Sequence, residues 1–397
     1  MLRAETFTIC LDCTNYSIKK TIDKAQKGDT LRIQKGVYKE GNISLTKTLV
    51  LWGEEGAIVD GEGKCEVFTI SADSVILKNL IIENAGVSNL NDWAGVKVNG
   101  ANYVQLIHNQ ILNCYFGIYF ANATHGIIAE NRVAGSQSKQ EQTIGNGINA
   151  WKCEHLLIKN NHIQGHRDGI YFEFVTQSCI SHNISEENLR YGLHFMFSHE
   201  DDYLGNLFRK NGAGVAVMYT HKVKMYDNIF EQNWGDAAYG LLLKEIGDSE
   251  IECNIFKTNT VGILMEGTSR IQVQYNTFAE NGWALKIQAS CQDIHFQNNN
   301  FQGNSFDVAT NGSLVMNTFD GNYWDKYEGY DLNKDKTGDV PFHPASLYAV
   351  IVEKMPFAIM LYRSFSVALL DKAEKLIPSF TPEDLKDNRP CMQEILL

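Results

Sequence analysis

The sequence predicts an all-β chain wound as a single-stranded parallel β-helix with coils of about 22 residues. Three observations carry this. A glycine followed in most coils by an apolar residue recurs at Gly95, Gly117, Gly147, Gly169, Gly192, Gly214, Gly240 and Gly262, at spacings of 22, 30, 22, 23, 22, 26 and 22. Fourteen residues after each comes an asparagine: Asn109, Asn131, Asn161, Asn183, Asn206, Asn228, Asn254 and Asn276, with Asn299 and Asn317 carrying the ladder on. Apolar residues recur at fixed offsets between these markers. A fixed period with short strand-like segments marks a solenoid. Stacked asparagines at a turn tolerate left-handed backbone and can bond the next coil.

The ladders sort side chains into faces, because strand side chains alternate. One residue after the glycines stand Val96, Ile118, Ile148, Ile170, Leu193, Val215, Leu241 and Ile263. Three after, from Gly117 on, stand Phe120, Ala150, Phe172, Phe195, Val217, Leu243 and Met265. Eleven after stand Ile128, Ile158, Ile180, Tyr203, Met225, Ile251 and Val273, so Met225 and Met265 are expected in the core. Positions two and four after the glycines then face outward. The fourth reads Ala121, Trp151, Glu173, Met196, Met218, Lys244, Glu266, and its charged members mark solvent. The second contains Tyr119, Tyr171 and His194, and the polar seventh contains His199 and His221.

Taken in order, the chain opens with no apolar leader stretch: Met1 runs into Arg3 and Glu5. It is expected to be cytoplasmic or a mature form whose leader is removed. Cys10 and Cys13 form a lone C-x-x-C, for which a metal pair, a redox pair and no role all stay open. The nine cysteines are odd in number and scattered, which argues against a disulfide framework. Residues 16–38 begin with a short amphipathic helix. Ile18, Ile22 and Ala25 share a face, Gly28 is the stop, and a strand Thr30–Ile33 follows. This resembles the N-terminal cap of right-handed parallel β-helices, whose first coil has no neighbour to cover it. The long glycine spacings place loop insertions near 136–143 and at 233–239.

From residue 317 the pattern breaks, and the aromatic, Asp/Gly-rich run FDGNYWDKYEGYDLNKDKTGDVPFHP is expected to loop over the far end. DLNKDKTGD resembles a calcium loop but lacks the glutamate that closes an EF-hand. Residues 355–377 read as one helix, with Pro356 in its first turn and Pro378 past its end. Ala358, Leu361, Phe365, Ala368 and Leu369 form its apolar face. Packing on the solenoid end and docking on a membrane-associated partner both fit. Residues 1–330 are thus expected to form the capped β-helix and 331–397 a C-terminal helical arm.

Net charge is −12, and the short basic runs at 19–27 and 209–210 make no stripe for phosphates, so no nucleic-acid partner is expected. No apolar run reaches the ~18 residues of a membrane span.

Long parallel β-helices are often polysaccharide lyases, hydrolases or epimerases, which gather acidic and basic groups on one face. Here His166, Arg167, Asp168, Glu173, Tyr171 and Tyr119 are the candidates, but no second carboxylate stacks beside Glu173. A turn with a local ion pair is the simpler reading of 166–168. The paired motif is different. Gly192 and Gly214 open two copies of one unit, each with a methionine four residues on and a histidine seven on. Met196 and Met218, with His194, His199 and His221, would stack at the ~4.8 Å strand spacing. Exposed methionines on a charged row gain little from burial, and thioether with imidazole suits Cu(I). Packing under a loop or a partner is the competing reading.

The blocks GIYFEFVTQS, NLRYGLHFMFSHEDD, NGAGVAVMYTHKVKM, AAYGLLLKEI, NGWALKIQASC, FDVATN and NYWDKYEGYDL resemble the NosD family, which serves nitrous oxide reductase maturation. The likeness runs from about residue 16 to 385. It implies a periplasmic right-handed β-helix at the outer face of the cytoplasmic membrane, its leader removed, and no catalytic site of its own. It implies an ABC transporter of NosF and NosY as partner; residues 355–377 are then expected to be the helix that docks on it, the chain being joined to the membrane only through that partner. It implies copper, as Cu(I), received from NosL and passed to the copper–sulfur centre of nitrous oxide reductase. The LHFMFSH and VAVMYT blocks map that route onto His194, Met196, His199 and Met218. His221 lies outside those blocks, and Cys10–Cys13 lies outside the matched part.

Overall fold

The computed structural model describes residues 4–88, 91–136, 144–235, 238–312, 316–376 and 385–396. The fold is an all-β, right-handed parallel β-solenoid with three parallel sheets. The chain forms two compact units, Met1–Leu207 and Phe208–Leu397.

In the first unit, each coil contributes one short strand to each of three sheets, and the successive strands pair in parallel. The register is one coil per step: Gln105 faces Ile127, then Leu157, then Cys179. The predicted core ladders are inside: Ile118, Phe120, Ile128, Ile148, Ile170, Phe172, Leu193 and Phe195 are all fully buried. The open N-terminal end is covered by the helix Ile18–Lys24, which buries Ile18, Thr21 and Ile22. Glu40 accepts hydrogen bonds from Ser17 Oγ and the Ile18 and Lys19 amides at 2.7–3.0 Å, satisfying its first turn. Lys47 Nζ donates to the carbonyls of Ile22, Asp23 and Ala25 at the other end.

The asparagine ladder works as a cross-coil ratchet. The side-chain oxygen of each asparagine accepts from the backbone and side-chain nitrogens of the one a coil earlier, from Asn109 through Asn131, Asn161 and Asn183 to Asn206, at 2.9–3.1 Å. These asparagines do not themselves take the left-handed conformation. The residue before each does: His108, Glu130, Asn160 and His182 have φ between 54 and 59°, and Gly205 has 62°. The turn needs one left-handed residue, and the asparagine needs ordinary backbone to aim its amide at the next coil.

The second unit repeats the plan, with Met225, Ile251, Ile263, Met265 and Val273 in the core. Its ladder runs Asn228, Asn254, Asn276, Asn299 and then Asn322, not Asn317. A second buried ladder, Asn233, Asn259, Asn281 and Asn304, lines another turn. Beside the first, Phe230, Phe256, Phe278, Phe301 and Trp324 stack face to face with centroids 4.0–4.9 Å apart. Stacked aromatic pairs add ~1 kcal/mol each beyond their buried area.

The C-terminal tail returns to close this unit. Asp387, fully buried, accepts from Gly321 N, Asn322 N and Nδ2, Trp324 Nε1 and Arg389 N at 2.9–3.2 Å. It stands where the next coil's asparagine would be. Asp387→Ala strands several buried donors, so a loss of at least ~3 kcal/mol is expected in urea unfolding. A shift below ~1 kcal/mol would show that the tail does not cap the ladder.

The arm departs from expectation. Among the described residues, 355–376 do not form a single helix. A helix Leu347–Lys354 packs Tyr348, Ala349 and Val352 inward, a 3-10 turn Pro356–Leu361 follows, and a helix Phe365–Leu376 comes last. Pro356 has no N–H to continue the first helix and restricts Met355, which sits at φ −134°, ψ 82°. Arg363, at φ 64°, turns the chain before the last helix. Phe357, Met360 and Phe365 are 84–87% exposed. Ile377 and Pro378, most of the insertion near 136–143, and the side chain of Ala368 lie outside the described residues, as do residues 236–237. No helix among the described residues is long and apolar enough to cross a membrane.

Candidate metal-handling face

The strands Asp168–Glu173 and Tyr191–Met196 lie side by side in the first unit, with Tyr171 opposite His194 and Glu173 opposite Met196. Ile170, Phe172, Leu193 and Phe195 point into the core, so Tyr171, His194 and Met196 emerge on the other side. Met196 is half-buried, and the Tyr171 hydroxyl reaches its Sδ at 4.0 Å. The Tyr171 ring meets His194 edge-on at 5.1 Å. Burial, then the nearby Glu173, push the Tyr171 hydroxyl up to about 12, so it is a neutral donor.

His194 is not the open surface residue that alternation predicts: it is 7% exposed. The alternation is right, but Tyr171, Tyr191 and Arg190 crowd over the ring. Its Nδ1 lies 3.5 Å from Asp168 Oδ2 and 3.3 Å from Arg190 Nη2, while its Nε2 has no hydrogen-bond partner. Arg190 grips the fully buried Asp168 with two hydrogen bonds of 2.9 and 2.6 Å. Burial pushes the Asp168 carboxyl up, but bonds from His194 and Arg190 outweigh it and hold the group below its ordinary value. The ion pair of this region therefore runs from Asp168 to Arg190, with Arg167 Nε farther off at 3.9 Å. A spacing of 22 residues, one coil, was the available signal for it.

His166 is no part of this cluster's chemistry. It is fully buried, neither ring nitrogen has a partner, and burial pulls its pKa down to about 4. His199 is half-buried at the turn after Met196, in a parallel bridge with Thr176.

In the second unit, Met218 ends the strand Ala213–Met218, half-buried and opposite Lys244. His221 is exposed and lines an open cavity of about 770 Å³ with Lys244, Asp248, Glu266 and Arg270. Arg270 binds Asp248 through two hydrogen bonds and keeps its carboxyl low, with the charge of His221 adding to this. Among the described residues, no three His, Cys, Asp or Glu side chains gather into one ligand group. Each unit thus carries a thioether and an imidazole of its own, groups that suit a soft monovalent ion.

Residues 135–329 match a family model described as "Periplasmic copper-binding protein (NosD)". A "Probable ABC transporter binding protein NosD" of Stutzerimonas stutzeri is 26% identical over 382 residues, covering 91% of this chain and 86% of that protein. The protein of the same description from Pseudomonas aeruginosa is 27% identical over 371 residues, covering 89% and 86%. Among solved structures, the A-module of the mannuronan C-5 epimerase AlgE6 from Azotobacter vinelandii superposes with TM-score 0.62 at 12% identity, covering 77% of this chain and 92% of that one. The catalytic unit of a GH87 α-1,3-glucanase from Streptomyces thermodiastaticus gives 0.63 at 12% identity, covering 78% and 66%. At that identity the likeness shows the winding of the chain alone. The relatives that align along nearly the whole sequence are described as NosD transporter-binding proteins, and the family model matched by residues 135–329 carries the same family's description, so the chain is similar to NosD proteins along most of its length.

Proposed function

We propose that this chain is a periplasmic copper scaffold. It takes Cu(I) from a NosL-type donor and passes it toward the copper–sulfur centre of nitrous oxide reductase, at the outer face of the cytoplasmic membrane. Copper is its cargo, and it needs no catalytic site of its own. The observation that carries the reading is the setting of His194. Nδ1 faces Asp168 Oδ2 at 3.5 Å, and a proton carried there leaves the unpartnered Nε2 its lone pair, two residues before the Met196 thioether. A histidine anchored through one nitrogen by a carboxylate offers the other as a ligand. Met218, His199 and His221 are the further ligands in this reading.

The chemistry is ligand exchange. Few soft ligands and partial burial hold the ion loosely enough to hand it to a docked partner. Residues 331–397 act as the docking arm, and within them the exposed Phe357, Met360 and Phe365 supply apolar surface for the NosF–NosY transporter. The two relatives' descriptions as transporter-binding proteins support that role. Cu(I) affinity of the full chain with Cys10–Cys13 kept as the disulfide, measured by chelator competition, is expected to fall at least ~10-fold in Met196→Ala/Met218→Ala. Equal affinity in the variant would sink the site assignment. Turnover of a uronate polymer by the same preparation would favour a carbohydrate-active enzyme instead.

A further inference from the structure

Cys10 and Cys13 follow the strand Thr6–Ile9 and are joined as a disulfide, with Cα atoms 5.1 Å apart. The turn they span is already held by hydrogen bonds from Cys13 N to Cys10 O at 3.1 Å and from Cys10 N to Asn15 O at 3.2 Å. A ring closed over a separation of 3 residues restricts the unfolded chain little, because the entropic gain grows with ring size. Nor does the pair pack into the core: both cysteines are half-exposed, and Leu11 and Asp12 between them are exposed. The buried cysteines Cys114, Cys153 and Cys291 remain free thiols. The cross-link thus sits where it adds little stability and is open to reagents, which suits a labile disulfide better than a staple.

We propose that Cys10–Cys13 is a redox-gated site for one Cu(I) ion, separate from the Met/His face. Reduction leaves the turn's two hydrogen bonds in place, so the sulfurs stay side by side. Two thiols lose their protons and two Cu(I)–S bonds form; thiolates select such a soft ion over Ca²⁺ or Mg²⁺. Opening the disulfide takes two electrons and two protons from an external dithiol, which leaves as its own disulfide. In the reverse direction the two thiolates give two electrons to an external disulfide, their S–S bond re-forms, and copper leaves still monovalent. The site lies at the start of the first unit, while Met196 lies near its end. The sheet takes eight steps from Thr6–Ile9 to Asp202–Leu204, or about 38 Å at ~4.8 Å per step. The two sites therefore share no ligand, and this one does not depend on the Met/His reading.

The test is a Cu(I) titration of the full chain against bicinchoninate, after dithiol reduction and anaerobic desalting. Reduced wild type is expected to bind one equivalent more than the oxidised form, with thiolate-to-copper absorption in the near ultraviolet. Cys10→Ser/Cys13→Ser should lack that equivalent, and a small disulfide should release it from the wild type. Met196→Ala/Met218→Ala should keep it, which separates failure here from failure of the Met/His face. Equal stoichiometry in reduced wild type and the serine variant overturns the proposal. So does a serine variant that melts far below oxidised wild type, because the disulfide would then be a staple.

Discussion

Replacing Asn161 by leucine is expected to lower stability by about 4 kcal/mol, because it strands several buried polar groups at ~1–3 kcal/mol each. Asn161 is 1% exposed. Its side-chain oxygen accepts from Asn131 N and Nδ2, and its Nδ2 donates to Ile128 O and Asn183 Oδ1, all at 2.8–3.0 Å. Leucine fills the space but bonds none of them. In a solenoid each coil rests on its neighbours, so the damage cuts the stack in the middle. Asn113 is the control: it is exposed, with one cross-coil bond to Asn84 at 2.7 Å. Asn113→Ala should shift the urea midpoint little. Similar shifts for the two variants would mean that the ladder is decorative.

The second large effect is a dependence on pH. Asp201 is fully buried; one carboxyl oxygen accepts from Ser178 N at 2.7 Å and the other has no partner. Burial pushes this carboxyl from 3.8 up to about 8, against the pull of the Ser178 bond. Between those values the fold holds a proton that the unfolded chain has lost. Stability therefore falls as pH rises from about 4 to about 8, and the full penalty is present above that. The loss is on the order of a few kcal/mol. His166 acts in the opposite sense: neutral in the fold, it takes stability away as pH falls from 6.5 to about 4. The two slopes overlap, so Asp201→Asn must be compared with wild type at each pH. Asparagine keeps an acceptor for Ser178 and never ionises, so its advantage should widen from pH 5 to pH 8. A constant gap would show that Asp201 is ionised throughout.

Much of the candidate site could be read from the sequence because a solenoid turns spacing into position. Residues one coil apart are neighbours, so the offsets of Met196, Met218, His199 and His221 from their glycines assigned each to a row before any coordinates. Alternation also placed Met225 and Met265 in the core, where they are fully buried. It could not give the burial of His194. That depends on Arg190, Tyr191 and Tyr171, long side chains whose directions no periodicity specifies. The left-handed residue in each turn was misplaced by one for a similar reason: the turn sequence names candidates, and only the path of the backbone picks one.

By itself the sequence determined the winding, the coil length and the inward rows, because each is a local pattern repeated until chance is excluded, and the N-terminal cap, because its helix is set by its own apolar face and its Gly28 stop. Only the tertiary structure decided what happens where the repeat stops. Asp387 returns over 60 residues of sequence to finish a ladder of asparagines, and Pro356 breaks a helix that its apolar face alone would have continued. It also decided that Asp168 pairs with Arg190 and leaves one nitrogen of His194 without a partner. The Asp387 and Asp168 contacts and the break at Pro356 each occur once, and a repeat carries information only about what recurs.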